Sequence, residues 1–187
     1  MSIKIQKLLL MKTYSFYEYL PQKRQKSDTP EVFGIVRRLV LNFKDGRKFA
    51  QEHVTKLVSD ALTMWYGSGN ADLVLVCVPT ANEKKYGYRF RKFAAAVSAR
   101  TGIQNGTAQV QIFGSRSAKH TDSCHVVRES DDYKVVVNAE FFKGKSVIIF
   151  DDIRTTGKTA GAFAAELESM GATIKGGLFL AQSIMNV

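Results

Sequence analysis

Hydrophobic residues recur every three or four positions in several parts of the chain, which is the spacing of a helix with one buried face. The first of these stretches follows residues 28–31, Asp-Thr-Pro-Glu, where a capping residue, a proline and an acidic residue favour the start of a helix. Asp45-Gly46 interrupts the pattern, and Asp45 is a candidate cap for the helix that follows. Two later helices are predicted at residues 88–101 and at about 158–170.

Short hydrophobic runs separate the predicted helices. Leu73–Val78 and Val147–Phe150 lack the polar alternation of a strand with one wet face, so they fit strands that are buried on both faces of a parallel sheet. Gly177–Ala181 is a candidate last strand, and two weaker candidates, Gln109–Phe113 and Val135–Val137, flank a polar segment. Because strands alternate with helices, we predict an α/β fold with a mainly parallel sheet flanked by helices.

One segment joins a predicted strand to residues with distinctive chemistry. Val147–Phe150 is followed by two carboxylates, Asp151 and Asp152, and then by Ile-Arg-Thr-Thr-Gly-Lys-Thr at residues 153–159. Open α/β sheets bind ligands at the carboxyl ends of their strands. Backbone N–H groups and hydroxyls of residues 155–159 converge at the start of the next helix, which favours a phosphate. Carboxylates suit neutral hydroxyls or hydrated Mg²⁺, so the segment predicts a site for a ribose 5-phosphate.

Three other interpretations compete for this segment. A Walker A loop requires a glycine at the position of Asp152, five residues before the Gly157-Lys158 pair. An acidic pocket of the receiver type uses paired carboxylates, but it has no need of the Thr-Thr-Gly-Lys-Thr turn. An ordinary strand, turn and helix with acids that cap the helix is the structural alternative, and it leaves most of the pattern unexplained.

The segment Val147–Thr159 resembles the phosphoribosyl pyrophosphate signature of type I phosphoribosyltransferases, in which four hydrophobic residues and two acids precede a Thr-Thr-Gly-x-Thr loop. Over about residues 35–185 the chain is similar to the ComF-like branch of that family, without the N-terminal zinc-binding segment of many ComF-type proteins. The resemblance implies a phosphoribosyltransferase-like core at residues 46–187 and a small N-terminal hood at residues 1–45. The other matching stretches are Lys44-Asp45-Gly46-Arg47, Val78-Pro79, Tyr86-Gly87-Tyr88, Phe142-Lys143-Gly144-Lys145 and Leu178–Ile184.

The resemblance implies a chemistry for these residues. The enzyme would use 5-phosphoribosyl 1-pyrophosphate, Mg²⁺ and a nitrogenous base, and it would release pyrophosphate. Asp151 and Asp152 would be the catalytic pair and would hold the ribose hydroxyls, or Mg²⁺ through water. The implied 5-phosphate loop consists of Arg154, Thr155, Thr156, Gly157, Lys158 and Thr159.

A second ligand loop is implied after the first core strand, where the family holds pyrophosphate and Mg²⁺. It follows a buried strand, as a ligand loop should, and its two lysines suit a polyanion. A solvated surface pair is the alternative interpretation of those lysines. The implied pyrophosphate loop consists of Pro79, Thr80, Ala81, Lys84 and Lys85.

The sequence also departs from the family pattern. Tyr86 occupies the position of an arginine, and Thr155 stands where hypoxanthine–guanine enzymes place an acid that contacts the base, which argues against those two bases. His120, Cys124 and His125 lack a fourth ligand at a fitting spacing, so no structural zinc is expected. The mobile catalytic loop matches the family poorly, and its candidate residues are Arg116, Lys119, His120 and Arg128.

Charge and composition leave a second function open. The chain has 187 residues, a net charge of +10 and a pI of about 9.6, which favour an anionic partner. The alternative to an enzyme is therefore a non-catalytic phosphoribosyl-pyrophosphate-binding regulator, or a ComF-like accessory protein of DNA uptake that binds nucleic acid. The two cysteines form no CxxC pair, and no apolar run is long enough to span a membrane. We expect a cytoplasmic protein without a membrane partner, and the sequence leaves a homodimer and the acceptor base open.

Overall fold

The main sheet contains five parallel strands in the spatial order β1-β7-β6-β2-β3, and β4 pairs antiparallel with β5 in a separate two-stranded sheet. The computed structural model describes residues 12–67, 71–115 and 133–184. The strands are β1 (Thr13–Tyr19), β2 (Leu73–Cys77), β3 (Gln104–Asn105), β4 (Val110–Gly114), β5 (Tyr133–Val137), β6 (Ser146–Arg154) and β7 (Thr173–Ser183).

Helices connect these strands and flank the main sheet, which confirms the predicted α/β architecture. None of the helices in the described ranges has the length and apolar character needed to cross a bilayer. A π-helical turn, Gly87–Arg91, continues directly into a longer α-helix. The α-helices are α1 (Glu31–Lys44), α2 (Lys48–Tyr66), α3 (Glu83–Tyr86), α4 (Lys92–Thr101), α5 (Ala139–Phe142) and α6 (Lys158–Ser169); Gln22–Arg24 and Gly106–Gln109 are 3-10 helices.

A cluster of buried phenylalanines fixes two connecting segments against the central strand. The ring of Phe150 in β6 lies 6.0 Å from that of Phe43 in α1, 6.2 Å from that of Phe90 in the π-helical turn, and 4.6 Å from that of Phe93 in α4. All four rings are almost completely buried, so removing one would leave a cavity in the core. The packing brings the end of α1 and the π-helical turn next to the carboxyl half of β6.

Several predicted boundaries differ from the observed ones. β6 extends to Arg154 rather than ending at Phe150, and β7 starts at Thr173 rather than at Gly177, because the two strands pair with each other along most of their length. The helix predicted at residues 88–101 begins earlier, with α3 and the π-helical turn. Asp45 follows the last residue of α1, and no side chain caps α2, so the predicted role of Asp45 as its cap is wrong.

The described part of the N-terminal segment belongs to the same core as the rest of the chain. β1 pairs with β7 along the edge of the main sheet, and Val36, Val40 and Phe43 of α1 join the main hydrophobic cluster. Residues 12–45 therefore share one sheet and one hydrophobic core with the rest of the described chain. The division into a hood at residues 1–45 and a core at residues 46–187 stays a prediction.

Candidate functional site

The carboxyl edge of the main sheet opens between β2 and β6. The chain leaves β2 toward β3 on one side and leaves β6 toward β7 on the other, so the connections diverge at this point of the sheet. Open α/β sheets bind ligands in the crevice that such a divergence creates. The loops after β2 and β6 flank it, and they contain both predicted ligand loops. Both segments that the sequence predicted as ligand loops therefore lie at this edge of the sheet, and ligand binding there stays a prediction.

The turn after β6 has the backbone of an anion loop. Gly157 adopts a left-handed conformation, with φ of 76°, immediately before α6 begins at Lys158. The first N–H groups of a helix lack carbonyl partners within the helix and carry partial positive charge. The hydroxyl of Thr156 accepts a hydrogen bond from the Lys158 N–H at 3.4 Å, and the side chains of Thr155, Lys158 and Thr159 are exposed. This turn can therefore surround a phosphate with backbone N–H groups and hydroxyls.

The side chain of Arg154 packs next to the turn. Its Nη1 donates to the Thr13 hydroxyl at 2.8 Å, and its guanidinium lies 5.9 Å from the centre of the Phe179 ring. Its buried Nε has no hydrogen-bond partner among the described residues, and it lies 3.2 Å from where a Cβ would stand on Gly157. The Gln182 side-chain amide donates to the Thr155 carbonyl at 3.2 Å and ties the turn to β7. The guanidinium thus offers a free donor next to the anion loop.

Asp152 is paired inside the protein. Its carboxylate is almost fully buried; Oδ2 accepts a hydrogen bond from Arg89 Nη1 at 2.8 Å, and Oδ1 lies 3.4 Å from Lys44 Nζ. Buried carboxylates of this kind are stabilised by paired cations. Both oxygens therefore already contact cations of the chain.

Asp151 has different surroundings, because successive strand residues point to opposite faces of a sheet. One of its oxygens accepts a hydrogen bond from the Asp152 N–H at 2.8 Å, and no cation forms an ion pair with it among the described residues. Desolvation, followed by the charge of Asp152, raises the pKa of Asp151 to about 8, against the weaker opposing effects of that hydrogen bond, Lys44 and Arg89. Asp151 is thus the carboxylate with an oxygen left for a ligand.

The loop after β2 emerges beside these carboxylates. The Val78 N–H donates to the Phe150 carbonyl at 2.9 Å, which continues the β2–β6 pairing up to Pro79. The buried Thr80 donates its hydroxyl to the Asn82 carbonyl, and its own carbonyl accepts from the Tyr133 hydroxyl at 2.8 Å. The loop is therefore held rigidly at the edge of the crevice.

The two lysines of this loop are exposed, and the other predicted member, Ala81, is half-buried. The Lys85 N–H donates to the Asn82 side chain, which caps α3. Neither lysine forms an ion pair within the described residues, so both ammonium groups are without a carboxylate partner there.

Tyr86, at the position of the family arginine, is part of the core. Its ring is fully buried, and its hydroxyl donates to the Cys77 carbonyl at 3.0 Å. Burial raises the pKa of this phenol well above its ordinary value, so it stays neutral. Tyr86 therefore supplies packing rather than charge.

Sequence reasoning missed Lys44 as a charged group of the site and missed Arg89 altogether. Arg89 pairs with a carboxylate 63 positions away in the chain, and no local sequence pattern predicts a contact over such a separation. Its only sequence signal is the basic run after the first core strand. The predicted catalytic-loop residues, together with Cys124 and His125, lie outside the described residues; these are Arg116, Lys119, His120 and Arg128.

The carboxylates at this edge of the sheet provide only some of the oxygen ligands that Mg²⁺ would need. The described ranges hold no group of three or more His, Cys, Asp or Glu side chains arranged around a common point. Asp151 has a carboxylate oxygen available, whereas both oxygens of Asp152 face cations. Mg²⁺ commonly uses one or two carboxylates together with water and substrate phosphates, and Asp151 suits that arrangement.

A cavity of about 180 Å³ lies at the opposite end of the strands. The start of β1, the end of α2 and the first half of β7 line it, with Tyr14, Trp65 and Tyr66 among its residues. Among the residues that the structure describes, no carboxylate, histidine or cysteine lines it. The crevice at the carboxyl edge, where carboxylates, cations and a helix start come together, is the better candidate for chemistry.

Solved structures offer partial similarities to this chain. Adenine phosphoribosyltransferase from Saccharomyces cerevisiae is 16% identical, with a TM-score of 0.46 over 74% of this chain and 70% of that one. The adenine enzyme from Thermoanaerobacter pseudethanolicus is 21% identical, with a TM-score of 0.45 over 74% and 71%. A hypoxanthine phosphoribosyltransferase from Staphylococcus aureus is 15% identical, with a TM-score of 0.40 over 73% and 62%. No protein-family model and no curated protein sequence matches the chain.

Proposed function

We propose that this protein is a phosphoribosyltransferase, which transfers the 5-phosphoribosyl group of 5-phosphoribosyl 1-pyrophosphate to a nitrogenous base and releases pyrophosphate. One observation carries the proposal: a carboxylate with an available oxygen, Asp151, lies in the carboxyl half of β6, the strand that leads through a short turn to the left-handed Gly157 and the start of α6. A diol-binding group next to an anion loop suits a ribose 5-phosphate.

The residues divide the ligand between two loops in this proposal. Backbone N–H groups and hydroxyls of residues 155–159 hold the 5-phosphate. The side chain of Arg154, which packs next to Gly157, orients the turn. Pro79, Thr80 and Ala81 shape the opposite wall, where Lys84 and Lys85 bring positive charge to the pyrophosphate. Because the two loops flank one crevice, a ligand with a phosphate group at each end would span it.

Catalysis in this proposal is a matter of position and charge. The resemblance implies a transition state with oxocarbenium character at C1′ of the ribose. Asp151 holds the ribose hydroxyls, and in its ionised form its negative charge favours the cationic ring of the transition state more than the neutral ring of the ground state. The chain has to supply no nucleophile for this reaction, so its contribution is to orient the ligand and to exclude water.

Mg²⁺ belongs to the proposal as a partner of the pyrophosphate. It would supply charge neutralisation for the leaving group when bound. Asp151 would hold it through water, and the phosphate oxygens of the ligand would provide most of the other contacts. Asp152 is less suited to this role than the sequence indicated, because Lys44 and Arg89 contact both of its oxygens.

A pair of measurements tests the function. Calorimetry with Mg²⁺ should show binding of 5-phosphoribosyl 1-pyrophosphate that is tighter than binding of ribose 5-phosphate. A pyrophosphate-release assay with purines, pyrimidines and nicotinate-like bases should then identify an acceptor base. Binding without turnover on any base would favour the non-catalytic regulator instead. Absence of binding in the calorimeter would contradict both functions.

A further inference from the structure

Two cations of separate chain segments converge on one buried carboxylate at the candidate crevice. Lys44 is the last residue of α1, and Arg89 lies in the π-helical turn that directly continues α3, the short helix that contains Lys84 and Lys85. Both contact Asp152, and the Arg89 Nε also donates to the Lys44 carbonyl at 3.3 Å. The three side chains therefore form one connected cluster, which we call the Asp152 cluster.

Further contacts fix the Asp152 cluster in place. The Gln51 side-chain amide of α2 donates to the Phe43 carbonyl at 3.2 Å and to the Arg89 carbonyl at 2.9 Å. Gly46 approaches the π-helical turn so closely that a Cβ there would stand 2.7 Å from the Tyr88 carbonyl oxygen. The positions of both cations are thus set before any ligand binds, which reduces the entropy lost on binding.

The cluster is buried on one side and open on the other. The side chain of Asp152 is 6% exposed, that of Arg89 is 17% exposed and that of Lys44 is 30% exposed. The Lys44 ammonium has three donors, and Asp152 is its only charged partner among the described residues. Lys44 therefore has hydrogen-bond donors left for an anion that enters the crevice.

We propose that Lys44 and Arg89 are additional pyrophosphate-binding residues, and that Asp152 positions them rather than binding the ribose itself. Arg89 follows Lys85 by about one helical turn, so these two cations lie on the same face of the helical stretch that follows β2. This inference rests on the proposed function, because it assumes that the ligand places its pyrophosphate at the loop after β2.

The test compares the two ends of the ligand separately. Lys44→Gln is titrated with inorganic pyrophosphate in the presence of Mg²⁺ and, independently, with ribose 5-phosphate. We expect pyrophosphate affinity to fall by about tenfold or more, as for the loss of a charge-assisted hydrogen bond, and ribose 5-phosphate affinity to stay within about twofold. Lys48→Gln, which removes an equally charged but exposed lysine from the start of α2, should leave both affinities unchanged.

Two further variants separate binding from structural support. Lys44→Arg keeps the positive charge and should retain most of the pyrophosphate affinity. Asp152→Asn, which removes no ligand contact in this proposal, should lower pyrophosphate affinity in protein whose circular dichroism shows that it is folded. Unchanged pyrophosphate affinity in folded Lys44→Gln would overturn the inference while the proposed function stands. Failure of the wild type to bind 5-phosphoribosyl 1-pyrophosphate would overturn both.

Discussion

Asp151 and Asp152 are adjacent in the chain, but they lie on opposite faces of β6, so the surroundings of their carboxyl groups differ. Asp152 forms ion pairs with Lys44 and Arg89, whereas Asp151 forms none among the described residues and receives one backbone hydrogen bond. The raised pKa of Asp151 means that the folded chain keeps a proton on this group under conditions in which an unfolded chain releases it. The state of this single carboxylate should therefore depend on pH and on the ligand.

The pH dependence of the stability of the ligand-free protein should reveal the proton on Asp151. Between an ordinary carboxyl pKa near about 4 and the raised pKa of Asp151, the folded state binds more protons than the unfolded state, so the free energy of unfolding falls as pH rises. Asp151→Asn removes the ionisable group. We expect it to raise the melting temperature relative to the wild type, and to raise it more at about pH 8 than at about pH 5. Asp72→Asn, at an exposed position, is the matched control; an equal effect of Asp151→Asn at both pH values would count against the raised pKa.

The left-handed backbone of Gly157 makes a substitution at this position a direct test of the anion loop. Valine at this position would have to adopt a left-handed backbone, at a cost of about 1–2 kcal/mol, and its Cβ would meet Arg154 Nε at 3.2 Å. We expect Gly157→Val to weaken both ribose 5-phosphate and 5-phosphoribosyl 1-pyrophosphate by about tenfold or more in calorimetry.

Gly144→Val is a control for that substitution. Gly144 has a similar φ of 72°, but it lies at the other end of β6 and a Cβ there would meet no atom within 4 Å. We expect Gly144→Val to be less stable than the wild type but to bind ribose 5-phosphate and 5-phosphoribosyl 1-pyrophosphate with unchanged affinity. Equal affinities of the Gly157 variant and the wild type would refute the anion loop.

Among the elements, the helical stretch from α3 to α4 carries two arginine–carboxylate contacts of similar length but different burial. Arg89 and Asp152 lie 2.8 Å apart in the crevice wall, whereas Arg91 and Glu83 lie 2.7 Å apart at the surface, where Glu83 is half exposed. Solvent screens the surface pair, and the buried pair depends on its partner. The same kind of contact should therefore differ in its contribution to stability.

Chemical denaturation can measure this difference. Asp152→Asn leaves Arg89 and Lys44 without their carboxylate, and we expect it to lower the free energy of unfolding by about 3 kcal/mol. Glu83→Gln, which breaks the surface pair, should lower it by about 1 kcal/mol or less. Similar losses for the two variants would show that the Asp152 cluster is as well solvated as the surface pair.

The elements also show which features a sequence can reveal. The buried strands and most helices followed from local periodicity, and so did the strand, turn and helix around Gly157. The prediction ended β6 at Phe150 because two aspartates follow, whereas pairing with β7 carries the strand to Arg154. The contact of Arg89 with Asp152 spans 63 positions, so it depends on the packing of phenylalanines from four elements and has no local pattern.

In the molecule as a whole, the first and last of the described strands, β1 and β7, lie side by side. Thr13–Tyr19 had aromatic residues that the sequence assigned to a hood, but they form the edge of the main sheet next to β7. Arg24 strengthens this closure by donating to the Ile184 carbonyl at 3.0 Å. The N-terminal segment therefore contributes to the fold itself, whatever else it does.

Deleting residues 1–29 tests that contribution. The deletion removes β1 and the fully buried Leu20 and exposes the edge of β7, so we expect a lower melting temperature and some aggregation on gel filtration. Deletion of residues 1–11 controls for shortening the chain while keeping β1. Equal melting temperatures of the two shortened proteins would mean that the segment behaves as a separable hood after all.

The pairing of β1 with β7 also has a consequence for how the chain is made. Residues 13–19 leave the ribosome long before Thr173–Ser183, their partner in the sheet, has been synthesised. Contacts between residues so far apart in sequence form slowly, because a long loop must close before they gain any stability. Until then residues 13–19, which are rich in aromatic side chains, have no partner in β7, and an unpaired segment of this kind associates with other chains. Synthesis of the last strand is thus the step that completes the sheet and protects the nascent protein from aggregation.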